Sequence, residues 1–211
     1  MMRSYSNVYV RDLLDAFSST APAPGGGAAA ALAGAIGVSL LLMAAGIRTS
    51  RSDEATEATE LADSTDRLRS IRPAIAALVD RDAEAYTSVI ASLRMPTTST
   101  DAAERRLAAI EQAMHAATNV PLETMRACRR ALRDVPIVAA HSIRSTHGDV
   151  GVGIELLRAA LRCAGLTIDA NLASIKDAAY AGLVTDERRR LEAEGSADAE
   201  YGLSLLAGKP A

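Results

Sequence analysis

From Gly27 to Ile47 the chain carries no charged side chain. A stretch so long and apolar must be hidden, in a bilayer or in a folded core, and that demand shapes everything around it. Much of it is Ala and Gly, no aromatic belt flanks it, and no second stretch like it follows. It therefore reads as the buried central helix of a bundle. Ala33, Gly34 and Gly37 would let neighbouring helices or a second subunit approach closely. The helix has more apolar faces than a small monomer can cover alone, so a symmetric homodimer is expected.

The approach to this helix is Ala21-Pro22-Ala23-Pro24-Gly25-Gly26-Gly27. Two prolines stiffen the chain, and three glycines permit left-handed angles or very close contact. Free backbone N–H groups and the positive end of the helix dipole would suit a carboxylate, a phosphate or a developing oxyanion. The plainer alternative is a tight connection whose glycines only let two helices touch.

Strand signals are nearly absent, alanine is abundant and aromatics are 3%, so the fold class is all-α. A first helix is expected over about Val8 to Ser18. An amphipathic helix follows from Asp53 to Leu93, with Leu61, Leu68, Ile71, Ile75, Leu78, Val79 and Tyr86 on one side. Pro73 should kink or break it near Arg72. After a loop from Met95 to Asp101, a helix to about Leu132 should bend at Pro121, and Pro136 opens a short segment. His141 to Gly148 reads as a polar turn before a helix beginning near Asp149. The last helix is expected over Ser174 to Glu194, with a loose tail after Gly195. No linker divides residues 1 to 211, which are read as a single domain; a chain this long can bury roughly 70% of its unfolded surface.

The net charge of −3 gives no general case for nucleic acid or an anionic membrane surface as partner. Cys128 and Cys163 are isolated, so both read as reduced core thiols of a cytoplasmic protein. Met1 to Leu14 lacks the apolar core of a signal peptide.

Gly148-Asp149-Val150-Gly151 places a carboxylate between glycines at a helix start, just after His147. Asp149 is either an N-cap or an acid/base group, and His147 a loop residue or a proton carrier. His141, His147 and Asp149 match no zinc spacing, so no metal site is expected. Arg48 and Arg51 suit the negative end of the central helix and could also hold a dicarboxylate. His115 is expected to be structural or solvated, and Arg188-Arg189-Arg190 a solvated face.

Together these segments resemble the cyclodeaminase/cyclohydrolase family, which comprises the cyclodeaminase domain of formiminotransferase-cyclodeaminase and stand-alone methenyltetrahydrofolate cyclohydrolases. The resemblance rests on Leu13-Leu14-Asp15-Ala16-Phe17, the Pro-x-Pro-Gly-Gly-Gly run, Ala30 to Ala35 with Met43, Asp82-Ala83-Glu84-Ala85-Tyr86, Val120-Pro121-Leu122, Asp149-Val150-Gly151-Val152, and Asn171-Leu172 with Lys176-Asp177. It implies an all-helical homodimer that acts on a tetrahydrofolate derivative by acid/base chemistry at an amidinium carbon, with no metal or redox cofactor. It further implies Asp149 as general acid/base; His147 would be an added proton carrier in a relative that acts on another substrate. Pro24, Gly25, Gly26, Gly27, Asn171 and Asp177 would then bind substrate, with Arg48 or Arg51 on its glutamate tail. The chain departs from the pattern at Ala28, where Ser is usual, at Arg48-Thr49-Ser50-Arg51, at Ile143 to Gly148, and at Thr167-Ile168-Asp169, where Asp169 reverses a cationic position. Those departures keep two alternatives in view: a relative acting on a non-folate amidine, iminium or cyclic substrate, and a non-catalytic binding protein.

Overall fold

The computed structural model describes residues 4–49 and 55–208; the side chains of residues 48, 49 and 55–58 are not described. Among the described residues, six α-helices and one short turn make up the order: α1 (Val10–Ser18), α2 (Gly26–Thr49), α3 (Ala55–Leu93), α4 (Thr100–His141), a 3₁₀ turn (Arg144–Thr146), α5 (His147–Leu172) and α6 (Ala178–Ala207). Among the described residues there is no strand. α2 packs between α3 and α5, and α4 joins α3, α5 and α6 into one core. Leu41, Leu68, Ile75, Met125, Leu132, Ile154, Leu157 and Leu161 are fully buried in it.

The prolines break nothing. α3 runs unbroken through Pro73, and α4 runs through both Pro121 and Pro136. Pro73 is exposed, so water can satisfy the carbonyl it orphans, while Leu68, Ile71, Ile75, Leu78 and Val79 hold the helix on either side. Pro121 is buried, and its missing N–H leaves the carbonyl four residues back, that of Ala117, without its helical donor. Asn171 supplies one: its Nδ2 donates to Ala117 O at 2.9 Å.

The expected loose tail is also helix. α6 continues to Ala207, and a Cβ built on Gly195 would stand 2.5 Å from Leu161 Cδ2. A Cβ on Gly202 would overlap Val135. These small residues let the last helix lie close against α4 and α5. α1 begins at Val10, and the expected start of α3 at Asp53 lies outside the described residues.

α2 is less hidden than its composition suggests. One side is closely packed: a Cβ on Gly37 would stand 2.8 Å from Gly153 O, and one on Gly34 would stand 3.0 Å from Cys128 Sγ. The other side leaves Ile36, Met43 and Ile47 at 45%, 42% and 39% exposure. The buried central helix of the sequence reading is thus buried on only part of its circumference, because α3, α4 and α5 cover it from one direction.

Candidate functional site

A helix N-terminus has N–H groups with no partner in their own helix, and Gly25, just ahead of α2, has no side chain to cap them. Its carbonyl accepts from Ala29 N at 3.1 Å. The missing cap comes from another helix. Asp82, in the middle of α3, places Oδ2 2.8 Å from Ala28 N. Gly27 is the residue that permits this approach, since a Cβ there would stand 2.6 Å from Asp82 Cγ.

A carboxylate that serves only as a helix cap has its pKa lowered by the N–H it binds and by the dipole. Asp82 behaves in the opposite way. Burial outweighs the Ala28 N–H and pushes its carboxyl up to about 6. At neutral pH it is therefore a base that can accept a proton without a large penalty, next to backbone donors of the glycine loop. That pairing of a near-neutral carboxyl with an electropositive helix end suits acid/base chemistry.

The same end of the bundle gathers other residues of interest. Thr167 Oγ1 faces Gly26, and Asn171 reaches α4 through Ala117. Asp177 is the N-cap of α6, accepting from Tyr180 N at 3.0 Å. The Tyr180 ring stacks on His115 with centroids 4.1 Å apart, so His115 has a packing role, and the Tyr180 hydroxyl donates to Asn119 Oδ1 at 2.9 Å. Asn171 and Asp177 thus have structural duties at this end that the sequence reading did not assign. Pro24 is buried beside the loop, and Gly25 and Gly26 are exposed. None of the described glycines has positive φ, so the loop does not use left-handed angles, and of its three glycines Gly27 alone makes a close approach.

The other predicted residues lie elsewhere. α5 runs antiparallel to α2, with Thr167 level with Gly26 and Gly153 level with Gly37. Asp149 is therefore roughly 22 Å further along the bundle than the glycine loop, counted at 1.5 Å per residue. It is exposed and makes no hydrogen bond or ion pair among the described residues. It is not the N-cap, because α5 begins two residues earlier at His147; it is the third residue of the first turn. His147 is half-buried, with Nε2 lacking a hydrogen-bond partner. Arg48 is in the last turn of α2, about 33 Å from Gly26 by the same rise, and Arg51 lies outside the described residues. One protomer does not bring Asp149, His147 or Arg48 to the glycine loop.

Three further expectations change. Cys128 is a buried thiol pushed up to about 12 by burial, but Cys163 is exposed on the outer side of α5. Asp169 pairs with Arg188 at 2.9 Å, so the reversed charge is met within the chain. Arg188 also pairs with Glu192 and is only 18% exposed, unlike the solvated face expected of its run. Among the described residues no group of three His, Cys, Asp or Glu side chains is placed to hold a metal ion. A cavity of about 610 Å³ between α3 and α4 is lined by Arg67, Arg130, Arg133 and Asp134, among others, and it lies away from Asp82.

Asp82 is the candidate site residue that spacing alone does not mark. It stands between Arg81 and Ala83 in a charged helix, and only its place on the buried stripe, three residues after Val79 and seven after Ile75, sets it apart.

The chain is 30% identical to the methenyltetrahydrofolate cyclohydrolase of Methylorubrum extorquens over 90% of this chain and 88% of that protein. It is 25% identical to the formimidoyltransferase-cyclodeaminase of Gallus gallus and 28% to that of Sus scrofa, spanning 34% and 37% of their lengths. The fold matches the crystal structure of formiminotetrahydrofolate cyclodeaminase from Thermotoga maritima with a TM-score of 0.85, at 19% identity, over 96% of this chain and 97% of that one. The family model described as formiminotransferase-cyclodeaminase covers residues 9–190, from α1 through the glycine loop and Asp82 into α6, and the chain belongs to that family.

Proposed function

We propose that this chain is a folate one-carbon enzyme of cyclohydrolase type that hydrates the methenyl bridge of 5,10-methenyltetrahydrofolate. The observation that carries the reading is the Asp82 carboxyl, raised to about 6, against the open N-terminus of α2. The similarity to the Methylorubrum cyclohydrolase across nearly the whole of both chains supports this reaction over the deaminase one.

The chemistry needs one group to move protons twice. The bridging carbon of the substrate is part of a cationic amidinium, and water adds to it. Asp82, ionised above its pKa, takes the proton as the new C–O bond forms. The protonated carboxyl then gives a proton to one bridge nitrogen as that C–N bond breaks, and the remaining hydroxyl proton leaves to solvent, so that the formyl group stays on the other nitrogen. A carboxylate near the bridge also favours the cationic substrate. The N–H groups of Gly26 and Gly27 and the α2 dipole are placed to receive an oxygen on which negative charge develops. A positioned proton-transfer group of this kind contributes about 10²- to 10⁴-fold.

A cyclodeaminase passes through the same kind of tetrahedral carbon and loses ammonia instead, so the two reactions share this machinery. The similarity to the two formimidoyltransferase-cyclodeaminases keeps that reaction in the test. The reading also carries a homodimer, supported by the exposed apolar side of α2, and a reaction without metal or redox cofactor, supported by the need for proton transfer alone. It carries a cytoplasmic setting and no nucleic-acid or membrane partner. Sedimentation equilibrium tests the homodimer, and a stable monomer at micromolar concentration would remove it.

The deciding assay follows 5,10-methenyltetrahydrofolate and 5-formiminotetrahydrofolate with wild-type protein and Asp82→Asn. Turnover of the first, lost in the variant, is expected. No turnover or binding of either would move the function to a non-folate amidine or to a binding role.

A further inference from the structure

Four hydrogen bonds converge on one carboxylate of α3, two residues before Asp82. Ser4 Oγ and Ser6 Oγ donate to Asp80 Oδ2 at 2.9 and 2.6 Å, and the backbone N–H groups of Tyr5 and Ser6 donate to Oδ1, the second at 3.3 Å. Burial alone would raise the Asp80 carboxyl, but these donors together hold it below its ordinary value, so it is ionised wherever Asp82 titrates. The segment before α1 is thereby fastened to the turn of α3 that carries Asp82.

Tyr5 is what this fastening presents. It packs half-buried against the core, and its hydroxyl donates to Ala23 O at 3.2 Å. Ala23 stands directly before Pro24 and the three glycines. Little else holds the approach to the loop. Between residues 7 and 22 Leu13 alone is buried, and a cavity of about 350 Å³, lined by Tyr5, Ala16, Ser19 and Ala23, among others, opens between α1 and the loop. The far end of the loop has no slack: Asp82 Oδ2 accepts from Ala28 N at 2.8 Å, and a Cβ on Gly27 would overlap Asp82. One turn of α3 thus grips the chain twice, at residues 4–6 and at Ala28, and Tyr5 links the first grip to the loop.

We propose that Asp80 and Tyr5 are positioning residues for the glycine-loop site: Asp80 fixes residues 4–6 on α3, Tyr5 ties Ala23 to them, and the N–H groups of the loop are so held at their distance from Asp82. The proposal rests on the reading of the glycine loop and Asp82 as the catalytic end. Neither residue has to touch the substrate. Their effect is on geometry, where a misplacement of about 1 Å can cost roughly 10²-fold in rate. The charge of Asp80 is not the agent, since burial and the Ala28 N–H account for the Asp82 carboxyl at about 6.

The test compares wild type with Tyr5→Phe, Asp80→Ala and Asp80→Asn by two readouts, the first of which needs no substrate. It is the pH midpoint of the Ala28 amide resonance, which follows the Asp82 carboxyl. The Ala28 N–H opposes the effect of burial on Asp82, so loosening the loop is expected to move the midpoint above about 6 in Tyr5→Phe and Asp80→Ala. Asp80→Asn keeps an acceptor for the Tyr5 and Ser6 N–H groups and is expected to stay near wild type. The second readout is turnover of 5,10-methenyltetrahydrofolate. In Tyr5→Phe and Asp80→Ala kcat is expected to fall about tenfold with KM changed by less than about twofold, and Asp80→Asn to restore most of the loss. Tyr5→Phe keeps the ring and its packing, so it decides the matter should Asp80→Ala fail to fold. An unmoved midpoint or a wild-type kcat in Tyr5→Phe overturns the proposal. A midpoint lowered alike in Asp80→Ala and Asp80→Asn would reveal an effect of charge and overturn it as well. Wild-type protein inert toward folates would sink the functional reading alone, and the Ala28 midpoint would still decide whether Asp80 and Tyr5 position the loop.

Discussion

Asp82 and Asp149 are both carboxylates near helix N-termini, and they differ in almost everything else. Asp149 belongs to the helix whose start it occupies, is framed by glycines, and stands in water. Asp82 lies mid-helix among charged neighbours, yet it caps a different helix and is desolvated by the contact. A local motif can announce a carboxylate, but its proton affinity is set by what other segments bring around it. The glycine loop illustrates the same lesson: Gly25 and Gly26 are open, whereas Gly27 abuts Asp82.

The comparison breaks most sharply at turnover. Asp82→Asn is expected to lower kcat by about 10²- to 10⁴-fold. The raised pKa also means that kcat should fall in wild-type protein as pH drops through about 6, where the carboxylate is protonated. A variant that keeps wild-type kcat returns Asp82 to the status of a cap.

Substitution at the loop is expected to follow the contacts. Gly27→Ala forces a methyl onto Asp82 and should cost about 1–3 kcal/mol of stability together with most activity. Gly25→Ala meets nothing within 4 Å and should be nearly neutral. Equal effects in thermal unfolding and turnover would show that the Gly27 contact is not what distinguishes them.

Stability should separate the two carboxylates as well. The folded-state pKa of Asp82 lies above its ordinary value of 3.8, so the protonated form is favoured on folding. That stabilisation is complete below pH 4 and is lost as pH rises to about 6, a change of about 3 kcal/mol at 1.36 kcal/mol per unit. Asp82→Asn should remove this slope and leave the variant more stable than wild type at pH 8, whereas Asp149→Asn should leave it in place. Denaturant titrations across pH 4 to 8 measure both, and parallel curves for wild type and Asp82→Asn would contradict the buried carboxyl.

An effect on stability alone is expected at Asn171. Asn171→Leu leaves Ala117 O without a donor beside buried Pro121 and should cost about 1–3 kcal/mol. An unchanged melting temperature would mean that water replaces the amide.

The helical class and the glycine loop's position were readable from composition and periodicity, because apolar spacing and proline–glycine runs are local signals. Helix continuity was not. Pro73 predicts a kink or break, Pro121 a bend and Pro136 the opening of a new segment, but packing on both sides of each outweighs the roughly 3 kcal/mol that a mid-helix proline costs and the helices run on. The end of α6 was missed because Gly195 and Gly202 look like helix breakers until Leu161 and Val135 are placed beside them. The glycine loop was legible as a candidate ligand-facing loop, whereas Asp82 was legible only as part of a family segment. Its chemistry depends on Gly27 and Ala28, 54 positions earlier in the case of Ala28, and no local pattern reports that contact.

The link between Pro121 and Asn171 has a consequence for how such chains can drift. A proline in α4 creates a vacancy at one carbonyl, and an amide from α5 fills it. Losing the asparagine strands an acceptor; losing the proline makes the amide redundant and removes the selective pressure to keep it. Val-Pro-Leu and Asn-Leu, which read as two separate signatures, are then a single heritable unit split across 50 residues, and substitutions at the two positions should covary among relatives.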